Sequence, residues 1–127
     1  MTSSELDNLV RIGRLKVEPP SRVEFEGLLK AGRAKLADAK KKTLSLDSRF
    51  DLAYGAAHAF SLAALRAVGY RSENRTVVFQ VLPYTLGTPM EYVRTLAKAH
   101  TVRNAAEYEG YLDADDRLVA DVIAGQR

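Results

Sequence analysis

The chain has 127 residues, no cysteine and a formal net charge of +3. That length suits one domain that buries a core without staples, so residues 1–127 are expected to form a single helical-bundle domain. The missing cysteine excludes disulfides, thiolate metal sites and a cysteine nucleophile. The net charge is too small to argue for nucleic acid, but its distribution is uneven. Residues 1–50 hold 11 Lys/Arg against 7 Asp/Glu, and residues 101–127 hold 3 against 6, a basic front half and an acidic tail. The N-terminus lacks the basic-then-apolar order of a signal peptide, and the longest apolar stretch is interrupted by His58 and Ser61. A cytoplasmic protein with no membrane span is expected.

In chain order, Ser4 caps a short helix carrying Leu6, Leu9, Val10 and Ile12, with Gly13 as its stop. Arg14 to Pro20 should be extended, because Pro19 and Pro20 bias the residues before them away from helix. Ser21 with Glu24 forms a capping box that opens a helix running to about Lys41. Val23, Leu28, Leu29, Ala31, Ala34, Leu36 and Ala37 share its broad apolar face. Arg33, Lys35, Lys40, Lys41 and Lys42 are the densest positive charge in the chain, either a solvated face or a phosphate contact.

The stretch from Ser48 to Gly69 is rich in Ala and Leu and nearly free of charge between Asp51 and Arg66. Its apolar residues go round the whole cylinder, which predicts a central helix buried on several sides and closed by Gly69. Residues 76–82 have strand propensity. A single strand without a partner leaves its backbone groups unpaired, so a short helix ending near Pro83 to Gly87 is expected. Thr88, Pro89 and Glu91 then open a helix that reaches Glu109 and stops at Gly110. Asp113 to Asp116 load acid onto the start of a last helix bearing Leu118, Val119, Val122 and Ile123. The expected fold is all-α, with four or five main helices, mostly antiparallel.

On the Thr88–Glu109 helix, Met90, Val93, Leu96 and Ala97 form one apolar stripe. One turn further on, that stripe becomes His100, Arg103, Asn104 and Glu107. Polar side chains on an inward face must bond one another, meet a partner chain or line a cleft. His58, halfway along the central helix, reaches this cluster if the two helices are adjacent and antiparallel, and an imidazole suits proton transfer near neutral pH. No pair at metal-ligand spacing joins His58 and His100 to Glu107 or Asp51, so no metal is expected. There is no phosphate-binding glycine loop, nucleophile elbow or zinc-binding histidine pair, so no cofactor is expected either.

The runs Leu28-Leu29-Lys30-Ala31, Ala37-Asp38-Ala39, Ser48-Arg49-Phe50-Asp51-Leu52-Ala53-Tyr54-Gly55-Ala56-Ala57-His58, Gly69-Tyr70-Arg71 and Arg103-Asn104-Ala105-Ala106-Glu107-Tyr108 resemble the HEPN superfamily of small helical-bundle proteins. The similarity covers roughly residues 22–112. It implies a homodimer and, as in many members, a metal-independent ribonuclease site at the dimer cleft. That site pairs an arginine, often followed by a polar residue, with a histidine four to six residues beyond. Arg103 and Asn104 fit its first half, but Tyr108, Glu109 and Gly110 occupy the histidine positions, and a phenol titrating near 10 is a poor base at neutral pH. Arg94 and His100 satisfy the spacing literally, though Arg94 falls away from the stripe.

Two functions follow as expectations. One is a toxin-type RNA-cleaving or RNA-binding protein, with Arg103 on the phosphate, Asn104 orienting it, and Tyr108, His100 or His58 moving protons beside Glu107. The other is a non-catalytic dimer that binds a nucleotide or a partner protein. The toxin-type reading implies an antitoxin or nucleotidyltransferase partner.

Overall fold

The apolar stretch folds as α3 (Leu46–Ala67) in a computed structural model that describes residues 4–110 and 114–125. Ser45 caps it by accepting a bond from the Ser48 amide, so the helix begins two residues before the expected start. It ends at Val68, and Gly69 follows with a φ of 91° that turns the chain back. Phe50, Ala53, Tyr54, Ala56, Ala57, Ala59, Ala63 and Leu65 are all buried, so the helix is enclosed as the sequence predicts. Around it stand α1 (Ser4–Arg11), α2 (Arg22–Ala39), α4 (Arg75–Gln80), α5 (Leu82–Thr85), α6 (Met90–Glu109) and α7 (Asp116–Ala124). The fold is an all-α bundle in which α2, α4, α5, α6 and α7 each contact α3.

A short turn after Ala39 sends α3 back along α2, and Arg49 Nε donates to the Ala39 carbonyl at 2.9 Å to close the hairpin. Between the two helices, Gly32 makes room for the Phe60 ring. A Cβ there would lie 2.7 Å from the Phe60 ring, so only glycine admits that aromatic face. The core has two parts. One joins Phe50, Ala53, Tyr54 and Ala57 to Phe79, Leu96 and Val119, and the other joins Leu65 to Leu6, Leu15, Tyr70 and Val78. Ala53 is fully buried in the first part, so Ala53→Leu is expected to overpack it and cost about 1–3 kcal/mol. Thermal unfolding checks this, and an unchanged midpoint would show slack at that face.

Several local expectations are corrected. Ser4 lies within α1 rather than capping it, and Ile12 is exposed. Ser21 caps α2 through the Glu24 amide, but the Glu24 carboxylate turns to Arg66 and Arg71, so only half of the capping box forms. Val23, Ala31, Ala34 and Ala37 are exposed because α2 packs on a single neighbour and needs only a narrow stripe. Pro89, not Thr88, precedes α6, and no side chain caps that helix. Met90 and Ala97 face outward, since the buried side of α6 runs through Val93, Leu96 and Ala99.

The expected extended stretch after Gly13 includes a short strand, β1 (Lys16–Val17), which pairs antiparallel with β2 (Tyr70–Arg71). Residues 75–80 are helical as expected, with Asn74 as cap. Asp115 caps α7, while Asp113 lies outside the described residues. No helix among the described residues is long and apolar enough to cross a membrane.

Candidate functional site

Tyr54 is where α3, α4 and α6 meet. Its ring is 1% exposed, stacked near Phe50 and met edge-on by Phe79 at 5.7 Å between centroids. Two pairs of residues four apart make the junction, Tyr54 with His58 on α3 and Arg75 with Phe79 on α4, because that spacing stacks side chains on one helix face. Phe79 also meets the His58 ring edge-on at 6.1 Å. From α6, the His100 ring lies stacked 6.3 Å from the Tyr54 ring.

Two guanidinium groups share the Tyr54 ring. The Arg75 Cζ lies 5.5 Å from its centroid and the Arg103 Cζ 5.4 Å, within reach of cation–π attraction. Arg103 also reaches Glu107 at 3.2 Å, an exposed pair one turn apart. Arg75 forms no hydrogen bond or ion pair among the described residues. Lys35 arrives from α2, with its stem 3.3 Å from where a Cβ on Gly55 would stand, and no carboxylate pairs with it among the described residues. Burial, followed by the nearby charges of Arg75, Lys35 and Arg103, pulls His58 down to about 4. His100 is lowered as well, first by burial and then by Arg103 and Arg75, with Glu107 opposing. Both imidazoles are therefore neutral at pH 7.

The Tyr54 hydroxyl is 2.8 Å from His100 Nδ1, its one hydrogen-bond partner among the described residues. The other ring nitrogen, Nε2, is 3.1 Å from Asn104 Nδ2. A neutral imidazole has one donor and one acceptor nitrogen, so with both engaged His100 keeps no free lone pair.

The residues read from the sequence are brought together unequally. On α6, His100 pairs with Asn104 and Arg103 with Glu107, and Tyr54 touches both His100 and Arg103. His58 joins them through Phe79 and the surrounding positive field, not through a hydrogen bond. Tyr108 is 90% exposed and makes no hydrogen bond among the described residues. Tyr54 and Arg75 received no role from the sequence, and Lys35 stood there only among the basic residues read as a solvated face or a phosphate contact. An arginine directly after a helix cap and a tyrosine four residues before a histidine were the available signals. No group of three metal-ligating side chains occurs among the described residues. No family model, curated protein or solved structure matches the chain. The HEPN resemblance therefore rests on the residues quoted for it.

Proposed function

We propose that this chain is a HEPN-like module that binds RNA through its phosphates at the Tyr54–His100–Arg103 junction, as a homodimer whose second copy covers the open side. The observation that carries this reading is charge without counter-charge: Arg75, Arg103 and Lys35 converge on two neutral imidazoles, and Glu107, itself exposed, is the one carboxylate paired there. A partly desolvated cation that lacks a carboxylate, as Arg75 does, gains most from an anionic ligand. The Asn104 side-chain NH2 keeps one hydrogen beyond its contact with His100, a donor that suits a phosphate oxygen. With both His100 ring nitrogens engaged, by Tyr54 and Asn104, the arrangement supports holding a phosphodiester over cleaving one.

Fluorescence anisotropy with a labelled single-stranded RNA of about ten nucleotides tests this. Binding is expected to weaken with salt, and Arg103→Ala is expected to weaken it about 10- to 100-fold, the usual worth of one charged hydrogen bond. The same mixtures with EDTA should leave the RNA intact. An RNA affinity unchanged in Arg103→Ala, or none at all, removes the reading, and cleavage abolished in His100→Ala moves it to the catalytic class. Sedimentation equilibrium at micromolar concentration should give twice the chain mass of 14.0 kDa.

A further inference from the structure

A second basic site lies on the other flank of α4. The loop after α1 and the β2–α4 connection enclose a cleft of about 370 Å³, whose lining includes Arg14, Lys16, Ser72, Glu73 and Asn74. The ladder pairing Lys16 with Arg71 holds its two walls in register, so the cleft is preformed. Arg71 is neutralised by Glu18 and Glu24, and its wall is fixed. Arg14 and Lys16 are exposed, and their side chains make no hydrogen bond or ion pair among the described residues.

The polar side chains of the cleft have their acceptors occupied and their donors free. Ser72 Oγ accepts from the Asn74 amide at 3.1 Å, which leaves the hydroxyl proton unused. Asn74 Oδ1 accepts from the Val77 amide at 3.2 Å, which leaves both hydrogens of the side-chain NH2 unused. Two cations and two neutral donors facing one space select an anion, and Glu73 is the only unpaired carboxylate in the lining. Asn74 is followed directly by Arg75, whose guanidinium lies on the Tyr54 ring. The two sites thus draw on adjacent residues at the start of α4, whose Cα atoms are about 3.8 Å apart.

We propose that this cleft is a second phosphate subsite, and that one strand crosses the first turn of α4 to occupy both sites. The inference rests on the RNA reading above and names its substrate class: an oligonucleotide with consecutive phosphates, not a mononucleotide. The Tyr54 junction takes one phosphate, and the Arg14–Lys16 cleft takes another of the same strand.

The experiment compares wild type, the double variant Arg14→Ala/Lys16→Ala and Arg103→Ala. Each is titrated with labelled single-stranded RNA of about ten nucleotides across about 50–200 mM salt, and with labelled uridine monophosphate. The double variant is expected to bind the oligonucleotide about tenfold more weakly. Its salt dependence should be shallower by about 0.7 in logarithmic slope for each phosphate it no longer holds, with mononucleotide binding unchanged. Arg103→Ala should weaken both ligands. If the double variant matches wild type on the oligonucleotide while Arg103→Ala does not, the second subsite is overturned and the RNA reading stands. If the double variant weakens both ligands equally, Arg14 and Lys16 act only through the general field, and the subsite is again overturned. If nothing binds, or Arg103→Ala changes nothing, both readings fall together. Arg14 and Lys16 are exposed, so the double variant is expected to keep the thermal midpoint of wild type.

Discussion

Replacing Arg66 with alanine is expected to destabilise the fold by about 3–5 kcal/mol, the usual consequence of removing one partner from a buried charged network. The side chain leaves the last turn of α3 and is 1% exposed. Nε meets Glu24 Oε1 at 2.5 Å, Nη1 donates to the Glu18 and Tyr70 carbonyls at 3.0 and 3.3 Å, and Nη2 reaches the Pro19 carbonyl at 2.8 Å and Glu18 Oε2 at 3.3 Å. Four of the five donors of the guanidinium are hydrogen-bonded, and Nη2 also pairs with the Glu18 carboxylate. These bonds fasten the segment before α2, the first turn of α2 and β2 onto the end of α3. Without them, three backbone carbonyls and two carboxylates are deprived of a donor. Because a domain this size is stable by about 5–15 kcal/mol, the expected cost is a large fraction of the whole. Urea denaturation should show a much lower midpoint. Lysine brings one compact charge with three donors, so Arg66→Lys should recover only part of the stability. A midpoint close to wild type for Arg66→Ala would mean that the segments dock without the guanidinium.

The second large effect is acid lability, with His58 as its main source. In the unfolded chain its imidazole titrates near 6.5, and in the fold burial and three nearby cations bring it to about 4. Between those values the unfolded state takes up the proton and the folded state refuses it. The stabilisation is therefore complete above about pH 6.5 and disappears as the pH falls toward 4. Its size is at most about 3 kcal/mol, and nearer about 2 once solvent screening of the partly exposed ring is allowed for. His100 shifts in the same direction and adds to the same window. Glu24 is held below its ordinary 4.5 by its hydrogen bonds to Arg66 and then Arg71, so its contribution is present above that value and disappears at lower pH. Urea midpoints measured from pH 7 to 4 should fall steeply for wild type and much less for His58→Leu, which keeps an apolar side chain against Phe79. Parallel declines in the two proteins across that window would refute the assignment to His58. An anion seated between Arg75 and Arg103 offsets the field that depresses His58, so bound RNA should shift the acid limb to lower pH.

The helical class and most of the helix ends were legible in the sequence, because each depends on residues within a turn or two. Ser21, Asn74 and Asp115 cap through backbone amides three residues on, and Gly69 and Gly110 turn the chain at positive φ. The all-round apolar surface of α3 foretold its central position in the same way. Part of the candidate site was also within reach, since His100, Arg103, Asn104 and Glu107 lie on one face of one helix.

What the sequence could not decide was where a side chain finds a partner far along the chain. Arg66 read as the polar end of an apolar helix, yet it is the largest fully buried side chain because Glu24, 42 residues earlier, folds onto it. Tyr54 had no role of its own in the sequence, and the one it has follows from His100, 46 residues later. Met90 and Ala97 were assigned inward by periodicity, but the direction in which α6 faces the bundle was set by its contacts with α4 and α7. Local propensity and capping act through bonds made within one turn and are written in adjacent residues. Which apolar stripe is covered, and which cation is left without a carboxylate, depends on loop closure and packing among whole helices, and the tertiary structure alone decided those.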